Sequence, residues 1–198
     1  MHGLVNRSIE NFIRHRHSAG LWHDICDGAD FDTHTMEPMI VHSLKSTEDI
    51  LSQATDLLDM SRDQILEDIG TFLVADPSNS TVRRLLRYGG ETFRDFLFSL
   101  AELPERARLA IDDLDLPNLR IEPVGLSSFR VSISKSWSGF PALAVGALRA
   151  MADDYGALVF ITRSDQSDQG DAALNVDLLD TSFAASKPFS LAMKVAVQ

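Results

Sequence analysis

The sequence predicts an α+β fold in which a helical N-terminal subdomain is followed by a four-stranded antiparallel sheet with packed helices. Over the first 110 residues the apolar residues recur every three or four positions, which is the period of an amphipathic helix. After Pro117 the pattern changes to four short alternating segments around one further helical stretch. This strand, strand, helix, strand, strand order favours an antiparallel sheet that is covered by helices on one side.

The composition excludes several functional classes. The 198 residues, 44% of them apolar, suffice to bury a core, and no apolar run reaches the roughly 18 residues of a membrane span. The net charge of −11 argues against a nucleic-acid or anionic-membrane surface, because phosphate groups select clustered Lys and Arg. The N-terminus lacks a signal-peptide run and Cys26 is the single cysteine, so we expect a cytoplasmic protein without an internal disulfide.

The first half is predicted to be a series of amphipathic helices. Thr47 is a candidate N-cap for one of them and Ser61 for the next, since a side-chain hydroxyl can accept a bond from a free backbone N–H of the first turn. The predicted helices cover residues 3–17, a short stretch around Trp22, residues 48–60, residues 61–76 and a short stretch from Thr81 to the glycines at 89 and 90.

Residues 91–109 form the predicted central helix, because five large apolar residues fall on one of its faces. They are Phe93, Phe96, Leu97, Leu100 and Leu103. Pro104 follows directly, and a proline inside a helix removes a backbone donor and clashes with the preceding turn at a cost of about 3 kcal/mol. We therefore expect the helix to end or kink at Pro104.

The second half is predicted to supply the sheet. Residues 119–124 and 128–134 alternate around Gly125 as two strands joined by a tight turn, and residues 157–163 and 174–179 are two more. Phe140–Tyr155 returns to helical spacing and is stopped by Gly156. The tail from Thr181 is either a short further strand or a disordered end. We expect one domain over 1–198, with a helical subdomain at 1–60, a proximal-helix and sheet subdomain at 61–185, and a tail at 186–198.

The usual enzyme signatures are missing. Gly89 and Gly90 do not form a phosphate loop, because no glycine-rich run there precedes Lys-Ser or Lys-Thr. A catalytic triad would have to draw its base from the first 42 residues, which contain all the histidines, and a helix would point His15 and His17 to different faces. The histidines are His2, His15, His17, His23, His34 and His42. We therefore expect no enzymatic activity and no zinc site.

Five segments carry a resemblance to a known family: MHGLVNRSIENFI, ILEDIGTFLV, GGETFRDFLFSLAEL, PNLRIEPV and above all GFPALAVGALRAMADDYG. Over roughly residues 1–180 the chain resembles the heme-nitric oxide/oxygen binding (H-NOX, or heme NO-binding) domain. Such domains act as gas sensors in bacteria and in soluble guanylate cyclase. The resemblance implies the same helix-then-sheet order and a heme b held between the two halves.

The resemblance also implies that the axial ligand has been lost. Family members hold the iron through a proximal histidine in a motif like FL.SL..LH. The segment FLFSLAELP aligns with that motif without a gap and places Pro104 at the histidine position. Proline has no side-chain group that can ligate iron.

A second family motif, Tyr-x-Ser-x-Arg, which holds the heme propionates, is changed as well. Counting back from Gly139-Phe140 places Ile133, Lys135 and Trp137 at its three positions, so the hydroxyl and the guanidinium are gone. A register one residue earlier gives three serines, which keeps hydroxyls but still lacks the arginine. These are Ser132, Ser134 and Ser136. The family proline that packs against the heme survives as Pro117.

The resemblance therefore predicts a divergent sensor or regulatory domain without histidine-ligated heme, like the alpha subunit of soluble guanylate cyclase. It would act through a signalling partner, such as a histidine kinase or a cyclic-dinucleotide enzyme, or through a different apolar ligand such as a fatty acid. The alternative is a heme-binding NO/O2 sensor whose axial ligand is one of the six histidines. The residues expected to line or fill the former heme site are Val5, Pro104, Pro117, Ile133, Lys135 and Trp137.

Overall fold

Helices account for most of the described residues up to residue 110 in the structure, a computed structural model that describes residues 3–31, 43–110, 114, 116–134, 136–164 and 171–189. The α-helices of this half are α1 (Gly3–Arg16), α2 (Ala19–Gly28), α3 (Leu44–Leu58), α4 (Arg62–Ala75), α5 (Ser80–Arg87), α6 (Phe93–Ser99) and α7 (Leu103–Ala110). None of the helices in the described ranges is long and apolar enough to cross a membrane.

The helix starts follow their capping side chains, with one correction to the prediction. Ser61 and Gln64 form the expected capping box at the start of α4. The cap of α3, however, is Ser43, whose Oγ accepts from the Ser46 N–H at 3.0 Å, and not Thr47. Thr47 lies buried within α3 because its hydroxyl donates to Asn6 Oδ1 at 2.7 Å, which satisfies a polar group inside the core.

The central helix breaks just before Pro104, as predicted. It runs as α6, passes through a 3₁₀ turn at Leu100–Glu102 and restarts as α7. Pro104 is the second residue of α7, where a missing N–H costs little because the first turn of a helix has no intrahelical acceptor for it. The backbone therefore accommodates the proline by a local change of helix type.

The second half forms the predicted sheet. Its strands are β1 (Asn118–Pro123), β2 (Ser128–Ser134), β3 (Leu158–Ser164) and β4 (Ala172–Asp180), and α8 (Phe140–Tyr155) lies between β2 and β3 in the chain. The strand order is β1-β2-β4-β3, and each neighbouring pair is antiparallel. Residues 181–189 form no strand. They lie against the end of α8, where the Lys187 N–H donates to the Asp154 carbonyl at 2.9 Å.

Two hydrophobic clusters make up the core. The helical cluster contains buried residues of α1, α2, α3 and the greater part of α4, with Ala142 of α8. The sheet cluster contains the apolar face of α6, the inner face of the sheet and the rest of α8. Because α4 and α8 contribute to both clusters, these two helices connect the halves of the molecule.

Candidate functional site

Pro104 and Pro117 are both buried. Pro104 follows Leu103, whose side chain belongs to the sheet cluster, and Pro117 lies immediately before β1. Neither side chain carries a nitrogen, oxygen or sulfur atom that could bind a metal. Position 104, which the sequence motif aligns with the expected axial ligand, therefore carries an inert, apolar side chain, and that alignment stays a prediction.

The remaining predicted site residues divide between the two clusters. Ile133 is fully buried on the inner face of β2, where it pairs with Leu119 of β1 and Ala172 of β4. Val5 and Trp137, by contrast, are half-buried and pack against the helical cluster. Lys135 lies outside the described residues. That the six positions line one common site stays a prediction.

Trp137 is bound to a carboxylate from the other half of the molecule. Its indole Nε1 donates to Glu48 Oε1 at 2.5 Å, although the two residues are 89 positions apart. Arg62 donates to the same carboxylate through Nε (3.1 Å, to Oε2) and Nη2 (2.8 Å, to Oε1). Arg62 Nη2 also reaches Ser138 Oγ at 3.2 Å, and the guanidinium lies over the Trp137 ring, 5.3 Å from its centroid. We call these four residues the Glu48 network.

The Glu48 network joins three parts of the fold. Glu48 is in the first turns of α3, Arg62 is the first residue of α4, and Trp137 and Ser138 belong to the connection between β2 and α8. Partial burial disfavours the charged form of Glu48, but the hydrogen bonds from Arg62 and Trp137 and the charge of Arg62 outweigh it. The pKa of Glu48 is therefore below its ordinary value, and the carboxylate is ionised at neutral pH.

The three described histidines do not gather around the Glu48 network. His15, His17 and His23 are exposed on or just after α1 and α2, and His15 Nδ1 lies 2.8 Å from the Asn11 carbonyl oxygen. His2, His34 and His42 lie outside the described residues. Within the described ranges, no group of three or more His, Cys, Asp and Glu side chains is arranged to hold a metal ion.

Two open grooves lie on the surface away from the predicted site. One, of about 380 Å3, is lined by residues including Tyr88, Phe98 and Arg106. The other, of about 580 Å3, lies between Tyr88 and the segment at 186–189. None of the predicted site residues lines either groove.

Glu48 and Arg62 could not be identified as site residues from the sequence. Charged residues are common near the starts of helices, so neither position is unusual in the chain alone. The sequence contained only an indirect signal for them: the indole of a partly buried tryptophan such as Trp137 carries one N–H group and needs an acceptor.

Comparison with known proteins supports the fold and the family. The sequence model of the haem-NO-binding family (HNOB) matches residues 2–163. A mutant H-NOX protein from S. oneidensis in the Fe(II) ligation state is 13% identical, with a TM-score of 0.77, and the match covers 92% of this chain and 98% of that one. A T. tengcongensis H-NOX mutant is 11% identical, with a TM-score of 0.74 and coverages of 91% and 99%.

A third similar structure is a Cs H-NOX mutant with an unnatural amino acid. It is 10% identical, with a TM-score of 0.76, and the match covers 93% of this chain and 100% of that one. No curated protein sequence matches the chain. At these identities the solved structures show a shared fold, and the family match rests on the sequence model.

Proposed function

The chain belongs to the haem-NO-binding (H-NOX) family, whose members are heme-binding gas sensors, and from this premise we propose a regulatory domain that works without histidine-ligated heme. The observation that carries the proposal is that Pro104, which the sequence motif aligns with the family's proximal histidine, is buried. A buried proline excludes direct ligation from that position, and it sits in a helix start that tolerates it without strain.

The described residues do not fit a heme at the propionate end either. Counted back from Gly139-Phe140, the arginine position of the family motif falls on Trp137, whose single N–H is already donated to Glu48. In the same register the tyrosine position falls on Ile133, a fully buried side chain without a hydroxyl. The register one residue earlier places Ser136 at the arginine position, which still lacks a guanidinium. A heme would bring two carboxylates close to the ionised Glu48, and the N–H donors of Trp137 and Arg62 are already bound to that side chain. We infer that the site offers neither an axial ligand at position 104 nor free donors for the propionates.

We propose that this domain acts through a protein partner and has no enzymatic activity of its own. A histidine kinase or a cyclic-dinucleotide enzyme is the partner class that the family suggests. The family match over residues 2–163 supports this proposal, because H-NOX domains are sensor domains and are generally not enzymes themselves.

The proposal is tested by expressing the chain with added heme and measuring its absorbance before and after reduction and exposure to nitric oxide. We expect no Soret band in the wild type. We also expect Pro104→His alone to give no stable heme complex, because the propionate donors stay occupied. A complete, gas-sensitive heme spectrum from that single substitution would show that only the axial ligand is missing.

A further inference from the structure

We infer that Glu48 is the residue that determines which ligands this site rejects: its carboxylate takes up the hydrogen-bond donors that would otherwise hold an anionic group. This inference rests on the proposed function, because it explains why the site does not take the family's acidic cofactor. It goes further because it assigns the exclusion of anionic ligands to one side chain, Glu48. It also extends that exclusion from heme to other acidic amphiphiles.

The geometry supports this assignment. At the propionate end that the motif predicts, a bound carboxylate would need N–H donors, and Trp137 and Arg62 are the side chains of the Glu48 network that carry them. Both already donate to the Glu48 carboxylate: Trp137 Nε1 lies 2.5 Å from Oε1, Arg62 Nη2 lies 2.8 Å from Oε1, and Arg62 Nε lies 3.1 Å from Oε2. The guanidinium is also fixed in orientation by its contact with the Trp137 ring and by Ser138 Oγ. An incoming anion would therefore have to break an existing charge-assisted pair.

The charge of Glu48 adds to this effect. The carboxylate is ionised at neutral pH, and two carboxylates that share one site repel each other strongly. An anion that approached Trp137 would be repelled by the Glu48 carboxylate. It could not be bound by the Arg62 guanidinium unless Arg62 first gave up its hydrogen bonds to Glu48. Heme, through its propionates, and a fatty acid, through its carboxylate, are disfavoured on the same physical ground, whereas a neutral apolar ligand is not.

The first experiment restores the missing groups and then removes Glu48. The first variant carries Pro104→His and Trp137→Arg. The second carries these two substitutions and Glu48→Gln. Hemin binding to the full chain is measured for both variants by absorbance titration. In the first variant the new arginine is expected to pair with Glu48. Glu48→Gln should then tighten hemin binding about tenfold, as expected when one charge-assisted hydrogen bond becomes available to the ligand.

Glu67→Gln in the same background is the matched control. Glu67 also pairs with an arginine of another helix, Arg149 of α8, but it contacts none of the Glu48 network. We expect it to leave hemin affinity unchanged. If Glu48→Gln also leaves the affinity unchanged, the inference about Glu48 is wrong while the proposed function stands. If the wild type itself shows a gas-sensitive Soret band, the proposed function fails whatever Glu48→Gln does.

A second experiment needs neither heme nor multiple substitutions. The Trp137 indole N–H resonance, assigned with Trp137→Phe, is followed by NMR as the pH is lowered. It should shift with a midpoint below the ordinary glutamate pKa, because Glu48 is the carboxylate that it donates to. In Glu48→Gln the shift should vanish, and in Glu67→Gln it should persist. An indole signal that does not titrate in the wild type would overturn the inference.

Discussion

Gly146→Ala is expected to destabilise the protein by separating the two helices that connect its halves. Gly146 is buried in α8 and faces the backbone of Glu67 in α4. A Cβ atom at position 146 would lie 2.6 Å from the Glu67 carbonyl carbon and closer still to its oxygen, where ordinary contacts begin at 3.4 Å. Backbone atoms cannot rotate away as a flexible side chain can, so the helices themselves must move apart.

The size of the effect follows from two opposing terms. Forcing extra volume into a packed interface costs about 3 kcal/mol at the upper end of the usual range, which applies here because the clash is with backbone. Alanine has a better helix propensity than glycine by about 1 kcal/mol. The net loss is therefore about 2 kcal/mol, or a fall in Tm of about 4 to 8 °C for a chain of this size.

Thermal and urea unfolding followed by far-UV circular dichroism would measure this loss. Gly20→Ala is the control, since Gly20 is an exposed helical glycine whose added Cβ would have Ser18 Oγ, at 3.8 Å, as its nearest neighbour. We expect Gly20→Ala to leave the Tm unchanged or to raise it slightly. A Gly146→Ala protein as stable as the wild type would refute the close crossing of α4 and α8.

Two further predictions concern buried groups outside the site. Asp154→Asn should cost about 3 kcal/mol of unfolding free energy, because Asp154 is 2% exposed and pairs with Arg83 at 2.8 Å and Arg87 at 3.6 Å. In the same denaturation assay the exposed neighbour Asp153→Asn should change little. Burial, and then the Glu10 carboxylate, raise the pKa of the Cys26 thiol to about 12. Cys26 should therefore react with a thiol reagent only as fast as the protein unfolds, and rapid labelling of the folded protein would contradict its burial.

The fold could largely be predicted from the sequence because its signals are local. The spacing of apolar residues in Phe140–Tyr155 and the alternation in residues 128–134 each determine one element without reference to the rest of the chain. The incorrect N-cap at Thr47 shows the limit of this approach. Ser43 and Thr47 are both suitable capping residues, and only the tertiary contact with Asn6 assigns Thr47 to the interior.

Only part of the candidate site could be anticipated from the sequence. Pro104 can be recognised from the sequence because a single residue type removes iron ligation at that position. The Glu48 network cannot, because it joins residues 48, 62 and 137, and nothing in a charged helix start identifies a partner 89 positions away. Contacts of this kind depend on how α3, α4 and the connection before α8 are brought together by the core.

We propose that the domain keeps the H-NOX fold without histidine-ligated heme. The most direct measurement is the absorbance spectrum of the full chain, expressed with added heme, then reduced and exposed to nitric oxide. We predict no Soret band in any of these states. A strong Soret band that shifts on addition of nitric oxide would contradict the claim and direct attention to a substitute ligand among the six histidines.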